Sequence, residues 1–408
     1  MPCLVMLATA WLAHVLFAPA FARALAGRWG DKILSATRGN VVDAAAFVQL
    51  CLCDALVLFS AAILAVLVQR CIARRCVPVP QETNRGWILQ AGTGFVLVNV
   101  VLALAMHTTL FWCLFWQGDA TSNVARFRLK AALLRHDPSP CKAAILGSSQ
   151  ARAQIDEGLL NQLTGPRLHT TELHFPGSTA YDISLVDREI NAAHPHVLIC
   201  YVSEMNFFAG STTEVAPVFF NFEDLGDLRT LPVAKHLKPG RLAYGLLGDV
   251  LPVFRLRDAL ATRLLGSGLA IIKQRQHDAR IRADADATAR RLAEAYRLDA
   301  GSDFQMKSLA ALADRCGQRG QTLGILAGQL SPALSRHIDP RLREEMLSFL
   351  RGLRDRHSHV RLLDGLPPHS ASDYADLTHV TGQAQAAFTR ILAEQLKPLL
   401  PTDSPLPN

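Results

Sequence analysis

Four short stretches of this 408-residue chain carry residue types that do chemistry together. They are Gly147-Ser148-Ser149, Pro176-Gly177-Ser178, Ser203-Glu204-Met205-Asn206, and "DYADLTHVTGQ", which holds Asp376, His379 and Gly382. Between them they offer a hydroxyl, a backbone N–H beside a glycine, a side-chain amide and an Asp/His pair. Acyl transfer at serine needs that set: a nucleophile, a base with an orienting carboxylate, and donors for the oxyanion. Singly, each is commonplace. A Gly-Ser-Ser usually makes a turn or a helix cap, and D-x-x-H recurs by chance. Their order along the chain and their placement give them weight.

The placement follows from the elements around them. From Cys141 onward, short apolar runs alternate with amphipathic stretches. The runs predict strands at 142–147, 170–175, 196–202, 321–327 and 359–364. The stretches between predict helices at 155–163, 180–193, 303–317, 340–356 and 382–396. Strands alternating with helices imply βαβ units, a mainly parallel sheet and a three-layer α/β domain. Ligands in such sheets bind outside the carboxyl ends of the strands, and all four groups fall just past a predicted strand end. Residues 207–301 break the rhythm. An interval of that length between strands is commonly functional or separately structured. Its Arg- and Ala-rich run "RQHDARIRADADATARRLAEAYRL" predicts a solvated helix with paired charges.

At these residues the chain resembles the SGNH (GDSL-type) hydrolases, in particular their membrane-anchored DltD-like and polysaccharide O-acetylation branch. The resemblance runs from about Cys141 to the C-terminus, with 207–301 unmatched. It implies a flavodoxin-like SGNH domain over 121–408. It makes Ser149 in "ILGSSQAR" the nucleophile, Gly177 in "HFPGSTAYD" an oxyanion-hole N–H, and "DLTH" the source of Asp376 and His379. The third block departs from the family pattern. G-x-N-D is usual directly after strand three, whereas this chain has "VSEMNFF". Asn206 is the only amide there, one residue later than alignment wants.

The implied activity is that of a serine esterase or O-acyltransferase on acylated cell-envelope or exported polysaccharide, without cofactor or metal. The competing reading is a catalytically weak SGNH-fold subunit that binds glycan or scaffolds a membrane-bound acyltransferase. Neighbouring residues carry their own alternatives. Ser148 reads as a turn or cap residue beside the nucleophile. Arg152 either binds an anionic substrate group or pairs with Asp156 at i, i+4. His174 reads as a hydrogen-bonded structural histidine. Glu204 either replaces the missing block-three residue or is a solvated loop acid.

Half of the residues are hydrophobic, and the excess is concentrated before about residue 117. Residues 3–22, 44–68 and 87–116 are each long enough to span a bilayer, which sets a transmembrane region at 1–120. The first lacks a positively charged leader, so a retained helix is favoured over a cleaved signal. The arginine cluster "QRCIARRC" between the second and third spans, and the aromatic belt at Phe111, Trp112, Phe115 and Trp116, favour an inside N-terminus. The C-terminal domain would then lie outside the cytoplasm at a bacterial inner membrane. Asp54, His14 and His107 fall inside spans, where an interhelical hydrogen bond is the simplest role. A net charge of +7 without any aromatic-and-basic module speaks against nucleic acid. Cys141, Cys200 and Cys316, away from the spans, read as small buried hydrophobes.

Overall fold

A computed structural model gives the conformation of residues 84–106, 123–165, 168–209, 239–252, 285–363 and 369–399, with isolated residues elsewhere. The predicted spans 3–22 and 44–68 lie almost wholly outside the described residues, as do Asp54, His14 and His107. Part of the third span forms helix α1 (Asn84–Ala105). Among the described residues no helix is long and apolar enough to cross a membrane. The chain divides into two compact units, Met1–Leu129 with Leu247–Arg263, and Lys130–Leu246 with Leu264–Asn408. Helix α2 (Asn123–His136) leads into the second unit, which carries the sheet.

Five strands alternate with helices in that unit. Strand β1 (Lys142–Gly147) is followed by the short helix α3 (Ser149–Gln154) and by α4 (Glu157–Thr164), then β2 (His169–His174) and α5 (Ala180–Asn191). Next come β3 (Val197–Val202), a one-turn helix α6 (Glu204–Phe208), and, within the 207–301 interval, α7 (Pro239–Val250), whose residues from Leu247 on belong to the first unit, and α8 (Ala285–Ala293). Helix α9 (Ala300–Gln318), β4 (Thr322–Ala327), α10 (Pro332–Ser335), α11 (Pro340–Arg356), β5 (Val360–Leu363) and α12 (Gly382–Leu396) complete it. The predicted strands each fall within a residue or so of these bounds, Asp364 lying outside the described residues.

All four pairings are parallel, and the order is β2-β1-β3-β4-β5. That is the flavodoxin-like order, whose direction of winding reverses between β1 and β3. The apolar runs explain which strands lie centrally. Ala143 through Leu146 are fully buried, and so is every residue of β3, as strands covered on both faces require. On one face Ala143, Ile145, Val197, Ile199 and Tyr201 pack with Ala151, Ile155 and Leu160 of the β1–β2 connection and Phe388, Leu392 and Leu396 of α12. Side chains alternate between faces along a strand, so Cys200 points the other way, towards Cys316 of α9 and Asp187 of α5. Cys141, Cys200 and Cys316 are all buried.

The edge strand β2 is closed off by side chains. Asn161 of α4 donates to Thr170 O (3.0 Å) and accepts from Thr170 N (2.7 Å), and Glu157 Oε1 accepts from Glu172 N (3.2 Å). An exposed strand edge would otherwise invite pairing with another chain. Helix α9 starts three residues before its predicted position because Asp299 caps it, Oδ1 accepting from Gly301 N and Ser302 N. The charged run of the interval is helical at α8, where Asp286 pairs with Arg290 at i, i+4, while Ala289 and Ala293 turn inward. Residues 275–284 of that run lie outside the described residues.

Candidate active site

Strand β1 delivers the chain to its carboxyl end at Gly147, and α3 begins one residue after Ser148. A side chain at Gly147 has nowhere to go: a Cβ would stand 2.7 Å from Ala151 Cβ and 3.0 Å from Tyr201 O. Glycine is therefore required by close approach of α3 and β3 to the strand end. Ser148 is buried and caps α3, its hydroxyl accepting from Gln150 N at 3.3 Å. Ser149 opens the helix with its hydroxyl directed elsewhere.

That hydroxyl meets His379. Ser149 Oγ lies 2.9 Å from His379 Nε2, across 230 residues of sequence. On the other side of the ring, His379 Nδ1 lies 2.8 Å from Asp376 Oδ2. Asp376 is held in turn. Its Oδ1 accepts from Thr378 N and His379 N, both at 2.8 Å, and from Thr378 Oγ1 at 3.2 Å. Burial alone would raise the Asp376 carboxyl, but the hydrogen bonds from His379 and the Thr378 backbone outweigh it and bring it down to about 2. Asp376 is thus an ionised acceptor that fixes the ring. The two side chains are 40% and 35% exposed, so the pair is open to a substrate.

Several contacts bring these distant residues together. The 373–381 loop closes on itself through the Tyr374–Val380 bridge, Ala375 N to His379 O (2.8 Å) and Thr381 N to Asp373 O (2.7 Å). Helix α12 then starts at once, capped by Thr381, whose hydroxyl accepts from Ala384 N. From α12, Gln385 Nε2 donates to Arg152 O (2.8 Å) and Ile155 O (3.0 Å), satisfying carbonyls at the end of α3. Thr389 Oγ1 accepts from Asp156 N at 2.9 Å. The helix after the histidine is therefore fastened to the helix of the serine.

A second set of buried hydrogen bonds ties the other strand-end loops to the serine. Ser203 Oγ donates to Gln150 Oε1 at 2.7 Å. Asn206 Oδ1 accepts from Ser203 N at 2.7 Å, and Asn206 Nδ2 donates to Ser178 O at 2.6 Å. Asn206 thus braces the loops after β2 and β3, with one of its two amide hydrogens engaged there. Gly177 lies one residue before Ser178 at a φ of +67°, a left-handed conformation that glycine adopts without strain.

The remaining expectations resolve individually. Arg152 is exposed and makes no ion pair among the described residues; Asp156 caps α4 instead, its Oδ1 accepting from Leu159 N. His174 is buried with Nδ1 3.0 Å from Glu172 Oε1, a structural partner. Glu204 is not a solvated acid: it is 6% exposed and its Oε1 lies 3.2 Å from Arg343 Nη1. Burial raises its carboxyl, and Arg343 only partly counters that. Gln150, Ser203 and Arg343 carry contacts that the four motifs did not reveal. Gln150 could have been noticed as a polar residue beside the serine; Ser203 stands in the third motif, but its bond to Gln150 is not visible there.

No group of three or more metal-ligating side chains occurs among the described residues. No protein-family model and no curated protein matches the chain. The fold defines an α/β protein with a five-stranded parallel sheet. At the carboxyl end of that sheet stands a Ser–His–Asp arrangement.

Proposed function

We propose that the chain is a membrane-anchored serine esterase or O-acyltransferase of SGNH type, acting on acyl esters of a cell-envelope or exported polysaccharide. The observation that carries the reading is the continuous relay of Ser149 Oγ, His379 and Asp376, at 2.9 and 2.8 Å. His379 Nε2 takes the proton from Ser149 Oγ as that oxygen attacks the ester carbonyl. Asp376 holds the ring with its other nitrogen protonated and stabilises the imidazolium. Collapse of the tetrahedral intermediate breaks the ester C–O bond, and the leaving oxygen receives the proton from His379. Water or a sugar hydroxyl then resolves the acyl-enzyme by the same route in reverse. The Ser149 N–H, in the first helical turn where no intrahelical acceptor exists, and the Gly177 N–H would receive the oxyanion, with the second amide hydrogen of Asn206 as a third donor.

Membrane anchorage rests on the three apolar stretches and the arginine distribution, which favour an extracytoplasmic domain at a bacterial inner membrane. Three spans exceed what an anchor requires, which favours a membrane-bound acyltransferase as partner. The second reading, a glycan-binding or scaffolding subunit, is favoured by one observation: Asn206 is already engaged as a brace.

A fluorophosphonate probe separates the two. The esterase reading expects labelling of the wild type and of Ser148→Ala, and none of Ser149→Ala. Absence of labelling in all three supports the scaffold. Labelling that survives Ser149→Ala and is lost in Ser148→Ala moves the nucleophile.

A further inference from the structure

Helix α3 carries Ser149 at its first residue and Gln154 at its last, about 7 Å further along the axis. The segment 369–381 meets both ends. At one, His379 Nε2 lies 2.9 Å from Ser149 Oγ. At the other, Gln154 Nε2 is hydrogen-bonded to His369 Nε2. One attachment leaves a segment free to pivot, whereas attachments at opposite ends of a helix fix its angle. The partly exposed Asp376–His379 pair thus has a second hold on the helix of its serine.

His369 is itself set in place. Its backbone N donates to Gln329 Oε1 in the β4–α10 connection at 3.1 Å. Its ring stacks on Phe388 of α12, with centroids 5.9 Å apart and planes at 27°, and meets Tyr374 edge to face at 5.8 Å and 84°. Gln154 is buried, so without the ring its amide would lack a partner, and a buried donor left unpaired is costly. An amide nitrogen only donates, so His369 Nε2 is the acceptor, and the ring is neutral with its proton on Nδ1. The surroundings agree. Burial holds the imidazole below the ordinary histidine range, partly opposed by the Asp373 carboxylate. Asp373, which accepts from Ser370 N and Oγ (2.7 and 2.8 Å), is the charged group facing it. From the other elements packed against the ring come Gln154, Gln329 and Phe388, all uncharged, and burial pushes the Tyr374 hydroxyl up to about 12. A proton arriving at Nε2 makes both ring nitrogens donors, and an N–H then faces the Gln154 N–H.

We propose that His369 is a positioning residue for the triad: as a neutral acceptor for Gln154 it locks the loop of Asp376 and His379 onto the helix of Ser149, and a proton on it opens the lock. The proposal rests on the esterase reading for its effect on turnover, and on geometry alone for the lock.

The test compares the full-length wild type in detergent with His369→Phe, which keeps the ring stack and removes the acceptor, and His369→Gln, which keeps an acceptor that does not titrate. With an aryl acetate at pH 7.5, His369→Phe is expected to lose about 10-fold in kcat at unchanged KM, and His369→Gln to match the wild type. As pH falls below the ordinary histidine value of about 6.5, the wild type should drop about 10-fold below His369→Gln and meet His369→Phe. Gln154→Leu breaks the same bond from the other side and should behave as His369→Phe. Equal turnover of His369→Phe and wild type, or a constant ratio of wild type to His369→Gln across pH, overturns the proposal. Hydrogen exchange over 369–381 reads the lock without turnover: faster in His369→Phe and unchanged in His369→Gln supports it, and equal rates in all three overturn it. Faster exchange in His369→Phe with no fluorophosphonate labelling of the wild type keeps the lock and removes the esterase. Labelling with equal exchange rates does the reverse.

Discussion

The two ends of the sheet each hold a His–Asp pair, and locally the pairs are near copies. At the amino end, His169 Nδ1 pairs with Asp137 Oδ2, and Asp137 Oδ1 accepts from Ser139 N, two residues on, at 2.9 Å. At the carboxyl end, His379 Nδ1 pairs with Asp376 Oδ2, and Asp376 Oδ1 accepts from Thr378 N, also two residues on. In both, burial pushes the carboxyl up and hydrogen bonds from the imidazole and a nearby backbone N–H bring it below its ordinary value. What differs is the far side of the ring. His379 Nε2 faces a serine hydroxyl at the start of a helix, beside the β1/β3 reversal where α/β sheets take ligands. The partners are 32 residues apart at the amino end and three apart at the carboxyl end, so a His–Asp pair forms by either route, and the third group decides which one chemistry can recruit.

The largest effects should separate the pairs most sharply. Ser149→Ala and His379→Ala are each expected to lower ester turnover on the order of 10⁶-fold, because triad members act as a unit. His169→Ala should leave turnover within about twofold, since no relay depends on it. Comparable losses in His379→Ala and His169→Ala, measured with an aryl acetate, would erase the distinction between the two ends.

The carboxylates sharpen it further. Asp376→Asn should cost about 10⁴-fold in kcat by letting the ring take the wrong tautomer, whereas Asp137→Asn should cost stability alone, about 1–3 kcal/mol. On stability the two ought to agree in sign. A carboxyl whose folded value is depressed binds fewer protons than in the unfolded chain, so its contribution rises with pH in that window. For Asp376 it is fully present above about pH 4, the ordinary carboxylate range, and is lost as pH falls through about 2. Urea unfolding of wild type and Asp376→Asn should therefore differ at pH 6 and converge near pH 2. A gap that widens on acidification would show that Asp376 is not held ionised.

How much of this was legible in the sequence depends on the range of the interactions. The strands were readable because fully buried parallel strands leave unbroken apolar runs, as in "KAAILG" and "HVLICYV". Ser149 was readable because it sits in a short motif at a strand end, and Asp376 and His379 because "DLTH" is a short motif between β5 and α12. Gly147 was readable as a turn glycine, yet the structure gives it another reason: Ala151 and Tyr201 leave no room for a Cβ. The Gln150–Ser203–Asn206–Ser178 chain and the Glu204–Arg343 pair join residues up to 139 apart. No local pattern encodes such pairs. For Glu204 the sequence left two readings, a replacement for the missing block-three residue or a solvated loop acid of the usual exposed kind, and its burial against Arg343 of α11 appears only in the packing.

A smaller effect tests whether Asn206 belongs to the site or to its frame. Asn206→Asp keeps the acceptor for Ser203 N and replaces the donor to Ser178 O with an oxygen. As a frame residue its loss should lower stability by about 1–3 kcal/mol. As an oxyanion donor it should also lower kcat about 100- to 1000-fold with KM unchanged. The proposed esterase expects both. A stability loss alone would move Asn206 out of the oxyanion hole and leave that work to the N–H groups of Ser149 and Gly177.

The smallest expected effect separates two adjacent serines of one motif. Ser148 and Ser149 share a turn, a residue type and proximity to Gly147, yet one hydroxyl is buried on Gln150 N and the other faces His379. Replacing an N-cap hydroxyl by alanine costs about 0.5–2 kcal/mol. Ser148→Ala should therefore lower the unfolding free energy by that amount and change turnover only as far as α3 shifts. Ser149→Ala should do the opposite, abolishing turnover at nearly unchanged stability, because its hydroxyl is not part of the cap. If the two variants exchanged these behaviours, the helix would start one residue later and the comparison between the two His–Asp pairs would rest on the wrong serine.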